Sequence, residues 1–269
     1  MSWKRLTIDK YAELEKANGA QLKHVDGIWW RKVRLFFYRP LYFNTRLVPG
    51  SVSSPAIPLI GGYQHLVGDP VQANSRMNFL LCENDSSYSV HSLSRNYKKN
   101  IARALRNLVV KPITDRDEFV HSAYPVYLSF YARTRYGYLK SRLKLEGFAK
   151  WSTIIFSFPE ILILGAFHQN NLEGISISYQ IEESVIYATF FCSDEGLKHR
   201  ASELMLHSLR EMAAQSKDVR FIFMGMSGGK RTSSTIIARS SRRPNCSGRR
   251  GRRCIGRRRI GGRRRSRQG

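Results

Sequence analysis

The chain has 269 residues, 45 Lys plus Arg against 20 Asp plus Glu, a formal charge of +25 and four cysteines. Its length allows a sizeable core, as one large domain or two small ones. No run is apolar for long enough to cross a bilayer, because Ile154–Phe167 is broken by Ser157, Pro159 and Glu160.

MSWKRLTIDKYAELEK at the start carries charges throughout and has no apolar centre, which excludes a signal peptide and predicts a cytoplasmic protein. The first hundred residues are rich in aromatics and proline, with Trp29-Trp30, LFFYRPLYF over 35–43 and the turn-rich VPGSVSSPAIPLIGGY over 48–63. That text predicts short strands and loops rather than long helices. From Ser92 to Leu108 the pattern turns helical. Tyr97, Ile101, Leu105 and Leu108 form one face, with Lys98, Lys99, Arg103 and Arg106 around them. Leu108–Ile113 is a short strand.

Thr114-Asp115-Arg116-Asp117-Glu118 begins a second helix, since Thr or Asp caps and acids favour the positive end. Phe119, Ala123, Val126, Tyr127, Phe130 and Tyr131 continue it toward Tyr136, and Gly137 ends it. A third helix covers Leu145–Phe156. The period then becomes that of strands: Glu160–His168, Gly174–Ile181 and Val185–Cys192, joined by polar turns as an antiparallel meander. A helix over Ala201–Ser216 and a strand over Val219–Met224 complete the readable part.

Residues 231–269 are of another kind, with fifteen Arg, no Lys, no acid and no aromatic residue. The tail holds +15 of the charge and leaves +10 for residues 1–230. It offers little apolar area to bury, so disorder is expected. Two readings compete: a basic arm for nucleic acid or acidic lipid, and an out-of-frame translation of a GC-rich gene, which the abrupt change of composition favours.

Several motifs are weighed and set aside. GMSGGKRTS over 225–233 resembles a P-loop, but Met224 and Arg231 stand where Gly and Ser or Thr are required. Cys82, Cys192, Cys246 and Cys254 make no CxxC pair and are expected as free thiols. His199 and His207 are eight apart rather than four, so no metal site is predicted.

From Leu108 the order is strand, helix, helix, three antiparallel strands, helix, strand. This order is similar to the GNAT N-acyltransferase fold. SRNYKKNIARAL (94–105), YARTRYG (131–137) and ILGAFHQNNLEGISISYQIEESVIYATFFCSDE followed by ASELMLHSLREMA also resemble the Fem-type (FemAB-like) branch, whose members carry two such domains in tandem. The resemblance implies a mixed α/β fold with a central, mostly antiparallel sheet flanked by helices. It divides the chain into a partial GNAT-like half (1–107), a GNAT-like acyltransferase domain incomplete at its C-terminal side (108–230) and the Arg-rich tail (231–269).

It also implies acyl transfer, an acetyl group in the simplest case, from acyl-CoA to an amine of a small molecule, glycan or peptide, in cell-envelope or polysaccharide metabolism. In such folds two strands splay beside the long helix. The pantetheine arm then lies against unpaired backbone, and the pyrophosphate at the helix start. The matching residues are Ala188, Thr189 and Phe190 on one strand, with a backbone N–H near Thr189 or Phe190 as oxyanion donor. Gly196, Lys198, His199, Arg200 and Ala201 form the turn that follows. The turn has one glycine where the family pattern has Gly-x-Gly or Gly-x-Ala, and some Fem-type members take the acyl group from aminoacyl-tRNA instead. Tyr136 and Tyr138 are catalytic candidates that either border the acceptor amine or cap a helix as surface aromatics. The rival function is a nucleic-acid-binding protein acting through the tail and the basic helix 94–106.

Overall fold

The computed structural model describes residues 4–56, 61–75, 77–135 and 137–226. Tyr136, the Tyr138 side chain, the P-loop-like run from residue 227 and the Arg-rich tail lie outside the described residues.

The chain opens with β1 (Arg5–Leu6) and α1 (Ile8–Ala17). The Thr7 hydroxyl accepts from the Lys10 N–H at 3.2 Å, Asp9 sits in the first turn, and Tyr11, Ala12 and Leu14 are buried. This short helix precedes the strands and loops expected in the first hundred residues and was not itself predicted. A meander follows: β2 (Leu22–Val25), β3 (Ile28–Arg34) and β4 (Phe37–Pro40), with β5 (Gly62–Tyr63) pairing parallel to β4. The fully buried Trp30 anchors this four-stranded sheet against Tyr38 and Ala56.

β6 (Phe79–Glu83) then leads to α2 (Arg95–Asn107) and β7 (Val109–Pro112). The buried face of α2 is Tyr97, Ile101 and Ala104. Leu105, expected inside, is 58% exposed, because a fourth inward position would widen the stripe beyond what the sheet covers. α3 (Arg116–Thr134) starts on Asp115, whose carboxylate accepts from Glu118 N–H at 2.6 Å. It ends before Gly137. Arg135 takes the left-handed conformation at φ 53° and its N–H closes on the Tyr131 carbonyl. α4 (Leu145–Phe156) has the predicted bounds.

The remaining elements are β8 (Leu162–His168), β9 (Asn171–Ile181), β10 (Ser184–Cys192), α5 (Asp194–Lys198), α6 (Ala201–Ala214) and β11 (Phe221–Met226). The predicted meander is present, with β7, β8, β9 and β10 pairing antiparallel in succession. The sheet runs β6-β11-β10-β9-β8-β7, with β1 added parallel to β9. Among the described strands of this sheet, only the β10–β11 and β1–β9 pairs are parallel.

Both faces of the sheet are covered, and the side chains alternate accordingly. On one face Ile163, Ile175 and Phe191 pack against Phe119 of α3 and Phe148 and Trp151 of α4. On the other, Leu164, Ala166 and Cys192 meet Ala104 of α2 and Leu204 and Met205 of α6. The architecture is therefore a three-layer α/β fold around a mostly antiparallel sheet. No described helix is long and apolar enough to cross a membrane.

Candidate active site

β10 and β11 run parallel and pair at Ser184–Phe221, Val185–Ile222 and Ile186–Phe223. There the ladder stops. Beyond Ile186, β10 carries a bulge between Tyr187 and Thr189 in its pairing with β9. β11 shifts register between Phe223 and Met226 against β6, with Gly225 at φ 114°. Bulges bend and re-aim a strand. Both strands change course at the same level, so a gap opens between them.

The gap holds a cavity of about 320 Å³. Tyr187, Ala188 and Thr189 form one wall, and Phe223, Met224 and Gly225 the other. Ile177, Tyr179, Trp151 and Ile155 close it from the sheet and α4, and Tyr11, Glu15 and Arg31 reach it from the first part of the chain. Backbone groups along the open edge of β10 need partners, which makes such a gap a place for an extended, hydrogen-bonding ligand arm.

Glu15 is the ionisable acid on this wall. Its carboxylate lies 2.6 Å from the Arg31 guanidinium with only 13% of its side chain exposed. Burial raises its proton affinity above that of an ordinary carboxyl, and Arg31 opposes the rise. Beside it the rings of Tyr11 and Tyr179 lie 5.6 Å apart, and burial pushes both phenols well above their usual range. Arg142, only 9% exposed, stacks over Trp151 at 3.9 Å on the same cavity.

The expected site residues divide into two groups. Ala188 and Thr189 line the gap. Phe190, one residue on, packs on the α2–α6 side near the Tyr187 ring. The residues after β10 form the short helix α5 instead of an open turn, capped by the Ser193 hydroxyl accepting from Gly196 N–H at 2.9 Å. Gly196 is a packing position, since an added Cβ would lie 2.4 Å from the Glu173 carbonyl oxygen.

Lys198 and His199 both engage Glu195, at 2.8 and 3.0 Å, and Arg200 reaches Glu203 at 3.4 Å. Ala201 is fully buried against the sheet. Glu203 in the first turn of α6 is itself an anion at the positive helix end. Lys198 and Arg200 are therefore paired with neighbouring acids, His199 sits on the same Glu195, and none of the three lines the gap.

Tyr11, Glu15, Arg31 and Arg142 escaped the sequence reading. They come from elements far from β10 in the chain, and only tertiary packing assembles them. Among the described residues no group of three or more His, Cys, Asp or Glu is placed to hold a metal ion.

No protein family and no curated protein matches the sequence. Solved structures do match in shape. The C-terminal domain of a putative lysylphosphatidylglycerol synthetase from Agrobacterium fabrum superposes over 81% of this chain and 74% of that domain, with TM-score 0.52 and 8% identity. A conserved protein of unknown function from Bacteroides thetaiotaomicron covers 89% of this chain and 88% of its own, with TM-score 0.51 and 11% identity. A FemX structure overlaps 61% of this chain, which spans 57% of FemX, with TM-score 0.46 and 9% identity.

The fold is the mixed α/β architecture shared with the lysylphosphatidylglycerol synthetase domain and the Bacteroides protein, and at such identities the likeness concerns the fold alone.

Proposed function

We propose that the chain is an N-acyltransferase that passes an acyl group from acyl-CoA to an amine of a small molecule, glycan or peptide. The observation that carries this reading is the end of the β10–β11 ladder at Ile186–Phe223, with the cavity that opens beyond it. An extended pantetheine arm there would take up the hydrogen bonds β11 no longer makes, and bring its thioester to the level of Thr189.

The amine nitrogen attacks the thioester carbonyl. The C–N bond forms as the C–S bond breaks, and the thiolate departs. A backbone N–H on the open edge of β10 near Thr189 is the donor for the developing oxyanion. Glu15, on the facing wall with its proton affinity raised by burial, takes the proton lost by the amine and returns it to the thiolate.

The test is calorimetric titration of the full chain with CoA. Ala188→Trp is the decisive variant, because Ala188 is exposed within the gap and a large ring there fills it without disturbing the core. Binding by the parent and at least tenfold weaker binding by the variant is expected. Equal affinity in both, which attraction to the arginine tail alone would produce, overturns the reading.

A further inference from the structure

A second cavity, of about 630 Å³, adjoins the first and shares with it Tyr11, Arg31, Ile186, Phe223 and Gly225. That volume is in the range of small-molecule sites. Its two sides differ in chemistry. One is aromatic: Phe43 stacks on Phe223 at 4.1 Å, and Phe79 meets both rings edge-on at 5.5 and 5.8 Å. The other is cationic, formed by Arg31, Lys32 and Arg39 from the small sheet.

The cationic side is built against the fold's own interest. Arg31 and Arg39 stand directly opposite each other in the β3–β4 ladder, and so share a face. Like charges in that relation destabilise a strand pair. Glu15 balances Arg31, but among the described residues no acid pairs with Arg39. Its Nε is buried without a hydrogen-bond partner there, and its Nη1 meets the Met226 thioether at 3.1 Å. The other guanidinium donors stand on the exposed side, at the cavity that Arg39 lines, where an anion can reach them.

We propose that this cavity holds the acceptor and that the acceptor amine also carries a compact anion, a carboxylate or a phosphate monoester, seated on Arg39. The proposal rests on the acyl-transfer reading for which partner enters here. The planar fork of arginine suits either anion in a two-point contact. The aromatic side packs the rest of the molecule, and the shared wall at Ile186 and Phe223 brings the amine to the gap in which the acyl carrier lies.

Three probes that share an aminoethyl unit separate the possibilities: O-phosphoethanolamine, β-alanine and ethanolamine, titrated into the full chain at fixed ionic strength. One or both anionic probes should bind at least about tenfold more tightly than ethanolamine, and the tighter of the two identifies the anion. Arg39→Gln should remove that preference. Arg39→Lys, which keeps the charge but not the fork, should keep only part of it. The arginine tail is present in every sample, so its contribution cancels between parent and variant.

Equal binding of the three probes, or a preference unchanged in both variants, overturns the proposal. CoA titration of the same samples tests the underlying reading separately. Anion preference without CoA binding keeps the pocket and sinks the acyl-carrier reading, whereas CoA binding without the preference sinks the pocket alone.

Discussion

The Tyr88 phenol oxygen and Nδ1 of His207 lie 2.9 Å apart in the interior, although 119 residues separate them in the chain. The contact ties α6 to the segment before α2. The other ring nitrogen of His207 is 3.3 Å from Glu211, and Arg210 lies over the Tyr88 ring at 3.9 Å. Burial holds the imidazole below its ordinary value of 6.5, against the pull of Glu211 and with a smaller push from Arg210. The folded state therefore binds this proton less well than the unfolded chain. Stability from this group is complete above about pH 6.5 and is lost as pH falls below it. Urea unfolding at pH 7.5 and 5.5 should show a lower midpoint at 5.5, and His207→Gln should reduce the difference.

Gly196→Ala should destabilise the fold by about 1–3 kcal/mol, because the new methyl group meets backbone at Glu173 and no side chain can rotate aside. Gly68→Ala is the matched control. Nothing lies within 4 Å of its added Cβ, so its melting temperature should stay near that of the parent.

Glu15→Gln should lower kcat for acyl transfer by about 10²–10⁴-fold, the range for loss of a positioned base, with CoA affinity retained. The parent's rate should rise with pH through the titration of a carboxyl shifted upward, and the variant's profile should be flat over that interval. A variant with the parent's profile would remove Glu15 from the mechanism.

Cutting the chain after Lys230 removes fifteen arginines and should leave CoA affinity at the Ala188-sensitive site unchanged. Affinity for single-stranded RNA, measured as a function of salt, should collapse together with its salt dependence. Retained RNA binding would point to α2, where Arg95, Lys99, Arg103 and Arg106 are exposed and the helix contains no acid.

The part of the fold that could be read from residues is the part governed by local rules. α4 and the β8–β10 meander follow from periods of 3.6 and 2.0 that their residues state directly. α1 was legible in principle. Thr7 before Asp9, with Ile8, Tyr11, Ala12 and Glu15 at helical spacing, is a capped amphipathic turn, but its charged neighbours mask the stripe. The Leu105 assignment failed because period alone cannot say how wide a stripe the sheet will cover. The gap at Ala188–Thr189 was anticipated through the order of elements. Its chemical lining was not, since Glu15 and Arg31 reach the gap only after α1 and the small sheet dock, and no local pattern records that docking.

β6 seals the outer edge of β11, with Glu83 opposite Phe221 in the ladder. On a ribosome, the earlier strand emerges well before its partner. At about 5–20 residues per second it waits roughly seven to thirty seconds. During that interval the run Phe79-Leu80-Leu81-Cys82 is an unclaimed sticky edge, open to strands of neighbouring nascent chains. Docking of β11 thus completes one wall of the gap and covers the free edge of β6 in one event, so heterologous yield should depend on translation speed and chaperone supply more than on the stability of the finished protein.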